Sequence, residues 1–264
     1  MTGPGPVSRM GFFTDASICI GCKACEVACK EWNDVPGDGL NFLGTSYDNT
    51  GALGADTWRH VAFVEQTVPA PSPAEDNGIR WLMSSDVCKH CTHAACLDVC
   101  PTGALFRTEF DTVVVQQDVC NGCGYCVPAC PFGVIDKRES DGRVWKCTLC
   151  YDRLKSDMAP ACAQACPTQS IQFGPLDELR RRAAGRVGVL REAGVADARL
   201  YGADEGDGVG GFGAFFLLLD EPEVYGLPPD PVVTTRDLPR MWKAAAGAAL
   251  TLIGAVAAAC AGRR

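Results

Sequence analysis

Apolar positions along this chain come in short runs, separated by polar, glycine-rich or proline-rich stretches. Gly11 to Thr14 reads as a short strand. Trp58 to Thr67 (WRHVAFVEQT) and the β-branched Thr112-Val113-Val114-Val115 read as two more. Residues 34–56 are rich in Gly, Asn and Asp and predict a loop, within an insertion over 34–80 that includes a Pro-rich connection from Val68 to Pro73. Beyond residue 175 the period changes. Asp177 to Ala193 carries Leu179, Ala183, Val187 and Leu190 at helical spacing. Gly211 to Asp220 (GFGAFFLLLD) predicts an apolar strand, so 176–220 reads as a small α/β appendage. Residues 221–243 are too proline-rich for regular structure and read as a linker. Then come nineteen uncharged residues, Ala244 to Gly262, roughly 28 Å long as a helix and close to the thickness of a bilayer core. A transmembrane anchor is the expectation; a buried helix or an alanine-rich tail is the alternative. Lys243 precedes the segment and Arg263 and Arg264 follow it, so flanking charge leaves its direction open.

Chemistry enters through cysteine. Sixteen of the seventeen fall into four groups of four: Cys19, Cys22, Cys25, Cys29; Cys88, Cys91, Cys96, Cys100; Cys120, Cys123, Cys126, Cys130; and Cys147, Cys150, Cys162, Cys166. Pairs two residues apart recur in every group, a spacing of metal thiolates rather than disulfides. The third group, C-N-G-C-G-Y-C-V-P-A-C-P, is the run with which bacterial ferredoxins hold [4Fe–4S] clusters. Zinc sites use two separated knuckles, whereas four thiols within eleven residues suit a cubane. Four groups imply four [4Fe–4S] clusters and a role in carrying electrons. Pro101-Thr102-Gly103 returns as Pro131-Phe132-Gly133 and Pro167-Thr168-Gln169, each after the last cysteine of its group. This internal repeat predicts an α+β fold of two ferredoxin-like modules over residues 1–175. The net charge of −8 argues against a nucleic-acid partner. MTGPGPVSRMGFF at the start has no apolar stretch long enough for a signal peptide.

In two-cluster ferredoxin folds the fourth cysteine of each run serves the other cluster, so runs work in pairs. One arrangement joins the first run to the second and the third to the fourth. The nested arrangement, which the repeat favours, gives four sets: Cys88, Cys91, Cys96 with Cys130; Cys120, Cys123, Cys126 with Cys100; Cys19, Cys22, Cys25 with Cys166; and Cys147, Cys150, Cys162 with Cys29. Gly21, Gly122 and Gly124 are expected to let backbone amides approach cluster sulfurs. Lys23, Lys89 and Lys146 stand beside ligand cysteines, either raising local potentials or solvated at the surface. His90 and His93 lie within the second run, and with four thiols available they are expected to hydrogen-bond rather than ligate. His60 is expected to be structural, Trp32 and Trp145 to shield clusters from water, and Cys260 to pack as a small apolar residue.

Four stretches carry a resemblance: C-I-G-C-K-A-C-E-V-A-C-K-E-W-N-D from Cys19, C-K-H-C-x4-C-x3-C-P from Cys88, C-N-G-C-G-Y-C-x3-C-P-F from Cys120, and W-K-C-T-L-C-Y-D-R from Trp145 with its later A-C-P-T. Together they resemble the iron–sulfur β subunit of respiratory formate dehydrogenases. That family lies within a wider group serving molybdopterin oxidoreductases, including dimethyl sulfoxide, polysulfide, thiosulfate and nitrate reductases. The resemblance is firm over about 11–175, and E-W-N-D after the first run points to formate. It implies the nested ligation, a non-catalytic electron-transfer role, a molybdopterin-containing catalytic subunit, and a quinone-reactive membrane subunit of cytochrome b or haem-free type. It also implies membrane attachment through the C-terminal helix. Export as a passenger of a twin-arginine partner fits a chain without its own signal, so either membrane face is compatible.

Overall fold

The structure is a computed structural model that describes residues 8–37, 39, 44, 48, 50–68 and 78–261. The middle of the loop expected at 34–56, most of the Val68 to Pro73 connection, and Arg263 and Arg264 lie outside the described residues. In chain order the elements are β1 (Met10–Asp15), α1 (Ala24–Asn33), β2 (Arg59–Val68), β3 (Gly78–Val87), α2 (Ala95–Asp98), β4 (Leu105–Arg107) and β5 (Val113–Val115). They continue with α3 (Cys126–Ala129), β6 (Asp136–Lys137), β7 (Val144–Trp145), α4 (Tyr151–Leu154) and α5 (Ala161–Gln164). The last are β8 (Ile171–Pro175), α6 (Leu176–Glu192), β9 (Arg199–Tyr201), β10 (Ala214–Leu218) and α7 (Leu238–Ala261).

Phe12 and Phe13 point to opposite faces of β1 and both are fully buried, which makes β1 an inner strand. All five residues of β10 are buried for the same reason. The two strands pair in parallel, with β8 antiparallel on β1 and β9 antiparallel on β10, giving the order β8-β1-β10-β9. Phe13 stacks on Phe215 across the parallel pair, ring centroids 5.3 Å apart. Helix α6 buries Leu179, Ala183, Val187 and Leu190, the four positions its period predicted. Residues 176–220 thus share one sheet and one core with the N-terminal strand instead of standing beside it.

The first part of the expected linker, residues 221–233, is packed, which corrects that part of the sequence reading. Pro222, Tyr225, Leu227 and Val233 are buried. Tyr201 donates through its hydroxyl to the Pro228 carbonyl at 2.6 Å. Prolines bar regular hydrogen bonding but still offer apolar surface, so the strap is irregular and anchored at once. Helix α7 begins at Leu238 rather than Ala244, with Pro239 tolerated in its first turn. At 24 residues it spans about 36 Å, and none of it is buried against the rest of the protein. Cys260 is accordingly exposed on α7, not packed in the protein.

Candidate functional site

Each cysteine run alternates a tight loop with a short helix. Cys25 and Cys29 lie one helical turn apart on α1. Cys96, Cys126 and Cys162 lie on α2, α3 and α5, each only four residues long. The residue just before the second cysteine of every run has positive φ: Gly21 at 65°, His90 at 44°, Gly122 at 71° and Leu149 at 57°. This fourfold backbone repeat was only half visible in sequence, because His90 and Leu149 occupy positions that glycine fills elsewhere. A bulky side chain there is strained, as at functional sites that need a fixed backbone. Such loops turn successive amides inwards into an anion-binding nest. The Leu149 N–H donates to Cys147 Sγ at 3.3 Å.

At Gly122 a Cβ would stand 2.2 Å from the Gly142 carbonyl oxygen, whereas at Gly124 (φ 76°) nothing lies within 4 Å. Gly122→Ala is therefore expected to cost about 2–3 kcal/mol, and Gly124→Ala about 1 kcal/mol, the left-handed strain alone. Chemical denaturation of the loaded proteins measures both, and equal losses would refute the clash argument.

The thiols gather across runs. Cys91 shares its electrostatic surroundings with Cys88, Cys96 and Cys130. Cys19 does so with Cys25, Cys166 and Cys22. Cys29 does so with Cys147, Cys162 and Cys150, and Cys126 with Cys100, Cys120 and Cys123. Two of these sets line cavities: Cys88, Cys91, Cys96 and Cys130 in one, and Cys19, Cys22, Cys25 and Cys166 in another. The sets also feel one another's charge in series, through Cys25 and Cys162, Cys147 and Cys88, and Cys96 and Cys126. Cys22 and Cys123, from the two outer sets, are exposed. None of the seventeen cysteines is in a disulfide.

Burial pushes the thiols up: Cys96 and Cys147 to about 12, Cys126 to about 11. Buried cations stand among them. Lys89 is fully buried but pairs with Asp86, and Lys23 pairs with Glu26 and Asp48 at 3.5 and 3.3 Å. Lys146 is 2% exposed and donates to the carbonyls of Val113 and Cys147. Burial would lower its pKa, yet Cys88, Cys96 and Cys147 outweigh that and raise it. Arg59 is 1% exposed, and burial is likewise outweighed there by Cys162, Cys25, Cys147 and Cys29. Among the described residues neither Lys146 nor Arg59 has a carboxylate in ion-pair range. Lysines 89 and 146 are therefore interior groups, not solvated ones, and Arg59 is a site residue the sequence reading missed. Its only signal was a charge in a strand whose neighbours alternate towards the core.

This donor set fits iron–sulfur clusters. Soft thiolates, inward amides and unpaired buried cations together require a compact anionic group held by sulfur. Single-ion geometry does not fit: among the described residues no three His, Cys, Asp or Glu side chains converge on such a point.

The remaining residues sort by contact. His90 is buried, and its Nδ1 accepts from the Val113 N–H at 3.1 Å. Burial and the nearby Lys146 hold its pKa well below the usual histidine range. His60 pairs with Asp48 at 2.7 Å. Trp145 stacks on Trp58 with Arg138 over its ring, and Trp32 carries Arg153 over its own. Both indoles reach the surface, donating to Asp141 and Asp152.

Two stretches of the sequence, residues 18–104 and 79–176, match families of 4Fe-4S dicluster domains. The protein is 40% identical over 253 residues to the nitrate-inducible formate dehydrogenase iron–sulfur subunit of Escherichia coli, spanning 92% of its own length and 81% of that subunit. It is 42% identical over 224 residues to the formate dehydrogenase iron–sulfur subunit of Haemophilus influenzae, spanning 83% and 68%. To one subunit of the anaerobic dimethyl sulfoxide reductase of Escherichia coli it is 37% identical over 181 residues, spanning 66% and 78%.

Proposed function

This protein belongs to the family of formate dehydrogenase iron–sulfur subunits, and from that premise we propose that it relays electrons from a formate-oxidising, molybdopterin-containing catalytic subunit to a quinone-reactive membrane subunit. Four bound [4Fe–4S] clusters would supply the one-electron carriers. The ligands are those of the nested arrangement: Cys19, Cys22, Cys25 and Cys166; Cys147, Cys150, Cys162 and Cys29; Cys88, Cys91, Cys96 and Cys130; Cys120, Cys123, Cys126 and Cys100. The grouping of thiols across runs and the two thiol-lined cavities support this reading. The protein's own part is to space the sites in one file, first set to fourth to second to third, with a thiol near the surface at each end. Its buried amides and cations favour anionic sulfur, and Trp58 and Trp145 help keep water away.

The observation that carries formate over dimethyl sulfoxide is the extent of the match. It spans 92% of the sequence with the formate dehydrogenase subunit and 66% with the other. Membrane attachment rests on α7, the one described helix long and apolar enough to cross a bilayer. The strap from 221 fastens that helix to the cluster-bearing body.

Tagged protein purified anaerobically from detergent-solubilised membranes is expected to bring a large pterin-containing partner. The preparation should reduce a viologen dye with formate. Dye-coupled reduction of a sulfur or sulfoxide compound without formate activity would move the complex to the sulfoxide-reductase reading. A protein found free of membranes and partners would refute the subunit role.

A further inference from the structure

Arg59 opens β2 opposite Val87, and its whole side chain is interior. The guanidinium lies over the Phe12 ring at 4.9 Å, which fixes its plane. Nη1 donates to the Ser85 carbonyl at 3.2 Å and to Ser85 Oγ at 3.1 Å. Ser85 Oγ in turn lies 3.2 Å from Cys25 Sγ. Because that hydroxyl accepts from Nη1, its own proton is free for the sulfur. Arg59 therefore reaches the first set of thiols through Ser85. The remaining nitrogens, Nε and Nη2, meet no nitrogen or oxygen acceptor among the described residues, and the side chain faces the Cys162 thiol of the fourth set. The thiols of the fourth set, Cys162, Cys147 and Cys29, lie in the field of the same charge. Two other interior cations are matched by carboxylates, Arg138 by Asp56 at 2.6 Å and Lys89 by Asp86, and Lys146 is held by the carbonyls of Val113 and Cys147.

We propose that Arg59 is a positioning residue shared by two cluster sites, that of Cys19, Cys22, Cys25 and Cys166 and that of Cys147, Cys150, Cys162 and Cys29, and that it raises the reduction potential of both. The inference rests on the cluster reading above. Reduction adds one electron to a site, and a fixed positive charge in a low-dielectric interior stabilises the more negative state. Placed between neighbours, one cation also weakens the repulsion between two reduced sites. The N–H groups on Nε and Nη2 are satisfied when the thiols are thiolates of a cluster, which explains why so costly a group is kept inside.

The test is a redox titration of the full-length protein followed by electron paramagnetic resonance, with iron content measured in parallel. Arg59→Gln is expected to move two of the four titration steps to lower potential and leave two in place. Arg59→Lys, which keeps the charge, should restore most of the shift. Ser85→Ala, which cuts only the link to Cys25, should move a single step. Arg59→Gln with full iron content and all four steps unmoved, or all four moved alike, overturns the proposal. If Arg59→Gln does not load iron, Ser85→Ala decides, and a titration identical to wild type overturns it. A wild-type protein without iron–sulfur signals would sink the cluster reading itself, and that is seen before any variant is made.

Discussion

Cys130→Ala is expected to remove the site built with Cys88, Cys91 and Cys96 while leaving the site of Cys120, Cys123 and Cys126 in place. Iron and sulfide content should fall by about a quarter, one site of four, and electron transfer through the protein should fall to near zero, because the lost site lies inside the series. The identity of that site can be read by double substitution. If Cys130 and Cys88 serve one site, Cys130→Ala with Cys88→Ala loses no more iron than either change alone, since the second change removes nothing further. Cys130→Ala with Cys120→Ala should lose about half. The reverse pattern, additive with Cys88 and not with Cys120, would mean that each run keeps its own fourth cysteine. The physical ground is burial. Cys130 shares a cavity with Cys88, Cys91 and Cys96, and Cys88 is the first of the thiols acting on it.

What sequence made legible follows from what repeats. Cysteine spacing announced the four runs, and the period of Leu179, Ala183, Val187 and Leu190 announced α6. The apolar runs at β1 and β10 were visible as strands. That they are neighbours in one parallel pair was not, because such pairing leaves no local mark in either strand. The strap at 221–237 was misread because proline content signals missing hydrogen bonds and says nothing about burial. At the sites, the glycines at 21 and 122 marked the nest loops, but His90 and Leu149 hid the other two. Arg59 was hidden most completely. A charged residue in a strand normally faces water, and only the tertiary arrangement puts two sets of thiols around this one.

Removing the iron is expected to unfold the region from Cys88 to Cys166 and to leave the sheet β8-β1-β10-β9 as the last protected part. Helices α2 to α5 have four residues each, and strands β4 to β7 two or three. Elements this short have no stability of their own and are held by what crosslinks them. Without iron the buried thiols take up protons at neutral pH, since burial holds Cys96 and Cys147 up to about 12 and Cys126 up to about 11. Arg59 and Lys146 then lose the negative charge they face, and among the described residues neither has a carboxylate in ion-pair range. An interior charge stripped of its partner costs about 3–5 kcal/mol, so two such groups consume most of the roughly 5–15 kcal/mol that holds a domain folded. The inner sheet escapes this because β1 and β10 are held by Phe12, Phe13, Phe215 and Phe216, all fully buried. Hydrogen exchange on loaded and chelator-treated protein checks it. Amides of 88–166 should lose protection by orders of magnitude while those of β1 and β10 keep most of theirs. Equal protection in the two samples would mean that the fold needs no crosslink, and that the buried cations are neutralised by something other than cluster-bound sulfur.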